Sequence, residues 1–199
     1  NTFPDSMQSL ENVTFGPDVT SIGYAAFLNC KALTDVNISV MALGDACFQG
    51  CTSLKTVRLP DGMQSLSDKA FQDCHSLEHV HLPNSLTSVG ASSFSGCRSL
   101  GSSGFDLPHH LSSLGEFAFA DCISLKEMHI PFSLKSISDG AFLQCSSLEN
   151  VTLHASVTKL GSYSFKGTSI RTLKVPKAMK EIGLEAFFNC TRLQSVIVD

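Results

Sequence analysis

The chain has 199 residues, 43% of them apolar and only 16% charged, a balance that supports a packed core and excludes a disordered polypeptide. Its formal net charge of −4 leaves no basic field for nucleic acid or for an anionic lipid surface. No apolar run approaches the roughly 20 residues that a helix needs to cross a bilayer, so no membrane insertion is expected.

In chain order, the first apolar marks are Leu10, Val13 and Phe15, which read as a partial unit. From there a unit returns every 21 to 25 residues, keyed by Phe27, Phe48, Phe71, Phe94, Phe119, Phe142, Phe165 and Phe187, here repeats 1 to 8. Five residues before each phenylalanine stands an aliphatic side chain, from Ile22 and Leu43 to Ile182. Glycine follows that aliphatic in six repeats, and Ser67 and Ser138 take its place in repeats 3 and 6. Three residues after the phenylalanine comes cysteine, except in repeat 7, which has Thr168. A leucine and then an apolar pair spaced by two follow, such as Val57/Leu59, Met128/Ile130 and Val151/Leu153, often closed by proline.

A pair spaced by two puts both side chains on one face of a short strand. The proline after it has no N–H and ends the ladder. The glycine suits a tight turn with positive φ, and the stretch from turn to cysteine, as in Gly140–Cys145, reads as a short α or 3₁₀ segment. One unit is therefore strand, turn, short helix and turn. Each unit buries its apolar face against its neighbours, which stacks the strands in parallel about 4.8 Å apart. The whole of 1–199 is then one domain, whose core grows by repetition.

Three irregularities interrupt the period. The link between Ile38 and Val40 is two residues short, Gly101–Gly104 adds two residues before Phe105/Leu107, and Gly167–Ser169 loses the cysteine and one residue. Insertions in solenoids map to loops.

The pattern L-x-x-V-x-L-P-x-x-L-x-x-I-G-x-x-A-F-x-x-C, fullest at Leu125–Cys145 and traceable from Leu10 to Val198, resembles the BspA-like class of leucine-rich repeat. The resemblance implies an α/β right-handed solenoid of about eight repeats of ~23 residues. Short parallel strands would line its concave face and short α or 3₁₀ segments its convex face. It also implies a link with adhesion, since the family includes bacterial surface proteins and expansions in parasitic protists.

Seven of the eight cysteines form one column through the stack, and Cys47 sits beside Phe48. Three readings stay open: small buried thiols, disulfides between adjacent rungs, or a metal site. The paired C-x-x-C spacing of a zinc site is missing. The residue between each apolar pair faces away from the core, giving the stripe Thr14, Asn37, Arg58, His81, Asp106, His129, Thr152, Lys174 and Ile197. Beside it run Asp35, Thr56, His79, Glu127 and Asn150. Arg58, His79, His81, Asp106, Glu127 and His129 are the candidate partner-binding residues. Their types suit a protein or glycan contact, a pH-dependent contact or a transition metal, against the plainer reading of a solvated strand face.

Sequons at Asn12, Asn37, Asn150 and Asn189 lean towards a secretory route. No P-loop, G-x-G-x-x-G, H-E-x-x-H or G-x-S-x-G motif is present, so neither catalysis nor a cofactor is expected. A start at Asn1 without a visible leader, and an end just past a strand, read as a portion of a longer protein. Such ends would permit end-to-end self-association through exposed strand edges. The expected function is a non-catalytic recognition module for a protein or glycan, with a surface adhesion role and an extracellular address. The alternatives are an intracellular scaffold domain in the cytoplasm and a structural spacer.

Overall fold

The computed structural model describes residues 5–198; Asn1 and Asp199 lie outside that range. A single 3₁₀ helix, Asp5–Ser9, precedes the repeats. Two sets of short parallel strands then alternate along the chain. The front set comprises Asn12–Val13, Asp35–Asn37, Thr56–Arg58, His79–His81, Glu127–His129, Asn150–Thr152, Thr172–Val175 and Ser195–Val198. The second set comprises two-residue strands from Ser21–Ile22 to Glu181–Ile182, one per repeat. Every pairing is parallel and joins one repeat to the next, for example Thr56↔His79 and Val57↔Val80 in front, and Ser88↔Ser113 behind.

The second strands went unrecognised in the sequence because two residues carry no periodicity. Their aliphatic markers were visible, and these are the inward-facing half: Ile22, Leu43, Leu66, Val89, Leu114, Ile137 and Leu160 are all buried. The front strands follow the alternation closely. Val57 and Leu59 are buried while Arg58 is exposed, and the same holds for Met128 and Ile130 around His129.

The short helical segment of each repeat does not form. No α-helix occurs among the described residues, so the expected α/β class gives way to a β-solenoid whose third side is made of turns. The backbone shows why. The second residue before each phenylalanine and the second after it are left-handed, as at Ala25 (φ 50°) and Asn29 (φ 58°), and again at Phe117 (φ 55°) and Asp121 (φ 58°). A helix keeps φ near −63° at every residue; two left-handed residues in six residues rule it out. Successive hydrogen-bonded turns replace it, with Ala26 N–H donating to Gly23 O, Leu28 to Ala25 and Cys30 to Phe27. The intervening N–H groups turn sideways to the next repeat. Ala25, Phe27 and Asn29 donate to the carbonyls of Asp45, Cys47 and Gln49 at 2.9, 2.8 and 2.7 Å.

The phenylalanines form one stack inside this column of turns. From Phe27 to Phe187 neighbouring rings are nearly parallel, with centroids between 5.1 Å (Phe27–Phe48) and 5.9 Å (Phe165–Phe187), in the range of offset aromatic stacking. Phe105 wedges edge-on against both Phe94 and Phe119, at 6.4 and 5.4 Å.

The glycine after each aliphatic marker is also explained differently from expectation. Gly44, Gly90, Gly115, Gly161 and Gly183 are not left-handed; a Cβ on any of them would strike the preceding repeat's backbone, at 2.3 Å from Ala91 N in the case of Gly115. Close approach, not φ, demands glycine there. Each of these glycines donates its N–H to the repeat before, as Gly115 does to Val89 O at 2.8 Å. Where serine stands instead, the second ladder breaks. It runs as three pieces, interrupted between Leu43 and Ser65 and between Leu114 and Ser136. At both breaks a hydroxyl bridges the gap: Ser67 Oγ donates to Leu43 O and Ser138 Oγ to Leu114 O.

The front ladder is interrupted elsewhere, at two of the three irregularities. Phe105–Leu107, just after the Gly101–Gly104 insertion, forms no strand and pairs with neither neighbour. The Gly167–Ser169 deletion separates Asn150–Thr152 from Thr172–Val175. The shortened link at Ile38–Val40 leaves the ladder intact, since Asp35–Asn37 still pairs with Thr56–Arg58.

Two substitutions of the same kind should therefore behave oppositely. Gly115→Ala is expected to destabilise by about 1–3 kcal/mol, the usual range for overpacking. Gly23→Ala, which meets nothing within 4 Å, should be neutral or stabilise by up to about 1 kcal/mol through the unfolded chain. Urea unfolding of the two variants checks this, and equal losses would refute the close-approach explanation.

Candidate functional site

The front strands hold five of the six candidate residues in fixed register. Arg58 lies opposite His81 and Thr56 opposite His79 on paired strands. Glu127 and His129 stand one repeat beyond the unpaired segment that carries Asp106, opposite Asn150 and Thr152. All six candidates are exposed. The structure brings two of them into direct contact, with His129 Nδ1 3.4 Å from Asp106 Oδ1. It does not draw three together: among the described residues, no group of three His, Cys, Asp or Glu side chains is placed to hold a metal ion. The transition-metal reading therefore finds no ligand set on this face.

What the strand stripe did not reveal is a groove of ≈ 570 Å³ along the ends of the front strands. Leu82, Leu107 and Ile130 floor it, and Asn84, Asp106, His109, His129 and His154 form its polar rim. Phe132 makes one wall and is 63% exposed. Its ring carries the Lys135 ammonium at 4.0 Å and meets the His154 ring edge-on at 4.9 Å. Lys135 Nζ also donates to the Phe132 carbonyl at 3.2 Å, so the ammonium is held in place. The face is poor in aromatic side chains only if the strands alone are counted. A sequence signal existed: the residue after the repeat's proline is Asp61, Asn84, His109 or Lys177 elsewhere, and phenylalanine only after Pro131.

At the opposite ends of the strands Glu149 holds two cations, Arg192 Nη1 at 2.5 Å and Arg171 Nε at 3.5 Å. These side chains are all substantially exposed, and such pairs are worth at most about 1 kcal/mol.

The cysteines resolve as buried, free thiols. From Cys51 onward each sulfur of the column sits by the phenylalanine carbonyl of the preceding repeat, as in Cys97 Sγ to Phe71 O at 3.1 Å and Cys145 Sγ to Phe119 O at 3.0 Å. This position asks for a small, largely apolar side chain with one weak donor, which is what a thiol is. In repeat 7, Thr168 Oγ1 donates to Phe165 O at 2.9 Å instead. Burial pushes the thiols upward, Cys47 and Cys51 to about 12 and Cys74, Cys97 and Cys122 well above the usual range. A thiolate is the reactive form, so the column is a poor source of nucleophiles.

The family profile described as the BspA type leucine-rich repeat region, in 6 copies, matches residues 1–101 and 102–199. The chain belongs to that family. Its fold is similar to the crystal structure of a leucine-rich repeat protein from Bacteroides ovatus, with 26% identity and a TM-score of 0.67 over 94% of this chain and 61% of that one. It is similar also to the T. pallidum leucine-rich repeat protein, with 30% identity and a TM-score of 0.68 over 88% of this chain and 72% of that one. A leucine-rich cell surface protein from Faecalibacterium prausnitzii shares the fold at 21% identity and a TM-score of 0.53, over 91% of this chain and 70% of that one. The chain thus spans about three-fifths of the Bacteroides ovatus protein. No curated protein matches it. None of these likenesses describes an enzyme, and no helix among the described residues is long and apolar enough to cross a membrane.

The thiol column makes a prediction with a definite sign. Raised thiol pKa values favour the protonated folded state, so their contribution is complete below the ordinary thiol range near pH 8.5 and is lost as pH rises towards about 12. At pH 8, Ellman's reagent should leave Cys47, Cys51, Cys74, Cys97, Cys122 and Cys145 unreacted in the folded protein and titrate all of them in urea. Rapid labelling of these thiols in the native state would contradict the assignment.

Proposed function

We propose that this chain is a non-catalytic recognition module, using its front strand face and the adjoining groove to contact a protein or glycan partner in adhesion outside the cell. The observation that carries the reading is the division of labour along each front strand. From Asp35–Asn37 to Thr172–Val175 a buried or, at Val80, half-buried apolar residue alternates with exposed polar ones along each front strand, and the exposed side chains take no part in the core. Arg58, His79, His81, Asp106, Glu127 and His129 are therefore free to be chosen for a partner. The groove beside them adds apolar floor and an exposed ring, the combination from which interface anchors are built. The exposed sequons Asn12, Asn37 and Asn150 lie on the same face and agree with an extracellular address.

The eight free thiols favour a second reading, an intracellular scaffold in a reducing compartment. Protease shaving of intact source cells separates the two: loss of the segment supports the extracellular address, and protection until lysis supports the scaffold.

Recognition itself is tested on arrays of extracellular matrix proteins and glycans. The wild-type chain is expected to retain at least one class of ligand, and the combined Arg58→Ala, His81→Ala and His129→Ala variant to lose at least tenfold in binding. A control triple on the turn side, Lys31→Ala, Lys69→Ala and Glu116→Ala, should bind as wild type. Equal binding by both triples would refute the front face as the contact surface.

A further inference from the structure

Three kinds of contact join successive repeats: the front ladder, the second ladder and the column of turns with its phenylalanine stack. Eight repeats make seven joints, and they are not equivalent. Between repeats 3 and 4 both ladders are continuous, through Thr56–Arg58 with His79–His81 and through Ser65–Leu66 with Ser88–Val89. Other joints lack one ladder. Between repeats 2 and 3 the second is broken, while between 4 and 5, and again between 7 and 8, the front one is. Only between repeats 5 and 6 are both interrupted.

Two unrelated causes meet at that joint. In front, the Gly101–Gly104 insertion precedes Phe105–Leu107, which pairs with neither neighbour; among the described residues, these three neither donate nor accept a main-chain hydrogen bond. Behind, Ser138 takes the glycine position, so the strand pair Leu114/Ile137 is lost and the serine hydroxyl on Leu114 O stands in for it. The column of turns continues across without a gap. Phe117, Phe119 and Asp121 donate to Asp139, Ala141 and Leu143 at 2.9, 2.9 and 2.7 Å, and the rings of Phe119 and Phe142 stack at 5.7 Å.

We infer that this joint is a hinge, with the turn column as its axis, which lets the front face open and close between a block ending at repeat 5 and a block starting at repeat 6. Motion about one intact edge is the cheapest deformation when the other two sides carry no ladder, since outside the turn column no hydrogen bond between main-chain groups has to break, only the hydroxyl bonds of Ser133 to His109 O and Leu111 O and of Ser138 to Leu114 O. The groove crosses this line. Leu82, Asn84 and His109 belong to the first block, His129, Phe132 and His154 to the second. Asp106 and His129, in contact at 3.4 Å, face each other across the joint. The width of the groove is thus set by the hinge angle. The candidate residues divide the same way, with Arg58, His79, His81 and Asp106 on one block and Glu127 and His129 on the other. This inference concerns the free protein and stands whether or not the front face is the contact surface.

The interrupted ladders also say how to lock the hinge. Ser138→Gly restores the residue that the close approach needs, and deletion of Ser102 and Ser103 returns repeat 5 to the common length. Spin labels report the angle: Asn84→Cys with Ala155→Cys spans three joints including the hinge, and Asp18→Cys with Asn84→Cys spans three joints without it. The native thiols are buried, so the new ones label selectively. Electron–electron double resonance should give a distance distribution at least twice as wide for the first pair as for the second. Combining Ser138→Gly with the deletion should narrow the first to the width of the second; should that chain not fold, Ser138→Gly alone should narrow it partway. Equal widths in the unaltered chain would overturn the hinge, and so would a wide distribution that neither repair narrows.

Discussion

Everything in this protein depends on the direction in which alternate N–H groups point between each glycine position and each cysteine. Two left-handed residues per repeat, four apart, swing the N–H groups of the phenylalanine and of the residues two before and two after it towards the next repeat. That conformation costs roughly 1 kcal/mol at each L-residue that adopts it. The cost is offset because an N–H that would otherwise face an orphaned interior finds a carbonyl one rung away. The column then spaces the phenylalanine rings for stacking and brings the column's cysteines from Cys51 onward to the preceding phenylalanine carbonyl. Stack, thiols and turns are one device, and the strands are laid along it.

This arrangement explains why the strands tolerate so much interruption. Strands of two to four residues contribute few hydrogen bonds each, and both ladders are cut more than once without a break in the aromatic stack. In an array where each repeat touches only its neighbours, stability is close to a sum over joints. A joint can then be weakened locally while the rest holds. Here the weakest joint by ladder count underlies the front face where Asp106 meets His129 and where Phe132 stands exposed beside an apolar floor.

Much of this was legible in the residues. The period, the buried pairs such as Val57/Leu59 and the exposed Arg58 between them follow from side-chain alternation, which burial enforces. Burial and free thiols at the cysteine column also agree with one of the three readings left open by the sequence. The turns were harder to see, because a left-handed residue normally announces itself as glycine, and Ala25, Lys69 and Glu185 give no such notice. The glycines that did stand out answer to a contact with another repeat, which no local pattern encodes. Of the candidate site, the exposure of all six residues follows from the alternation, five on front strands and Asp106 on the unpaired segment, but the contact between Asp106 and His129 and the groove wall at Phe132 are long-range. They depend on which loop ends meet once the stack forms. The insertion that cuts the front ladder at Gly101–Gly104 was visible as a count of residues; its mechanical meaning needed Ser138, thirty-odd residues away and in the other ladder.

The central claim is that the turn column and its aromatic stack, and not the ladders, hold neighbouring repeats together where the ladders fail. Urea unfolding of Phe119→Ala against Phe71→Ala tests it most directly. Each removes a fully buried ring of the stack, a loss of about 3–5 kcal/mol in a packed core. At Phe71 both front-ladder joints remain, so the account predicts a single transition at a lower midpoint. At Phe119 no complete ladder spans the following joint, and the account predicts two separated transitions, one for each block. A single transition in both variants, shifted equally, would contradict it.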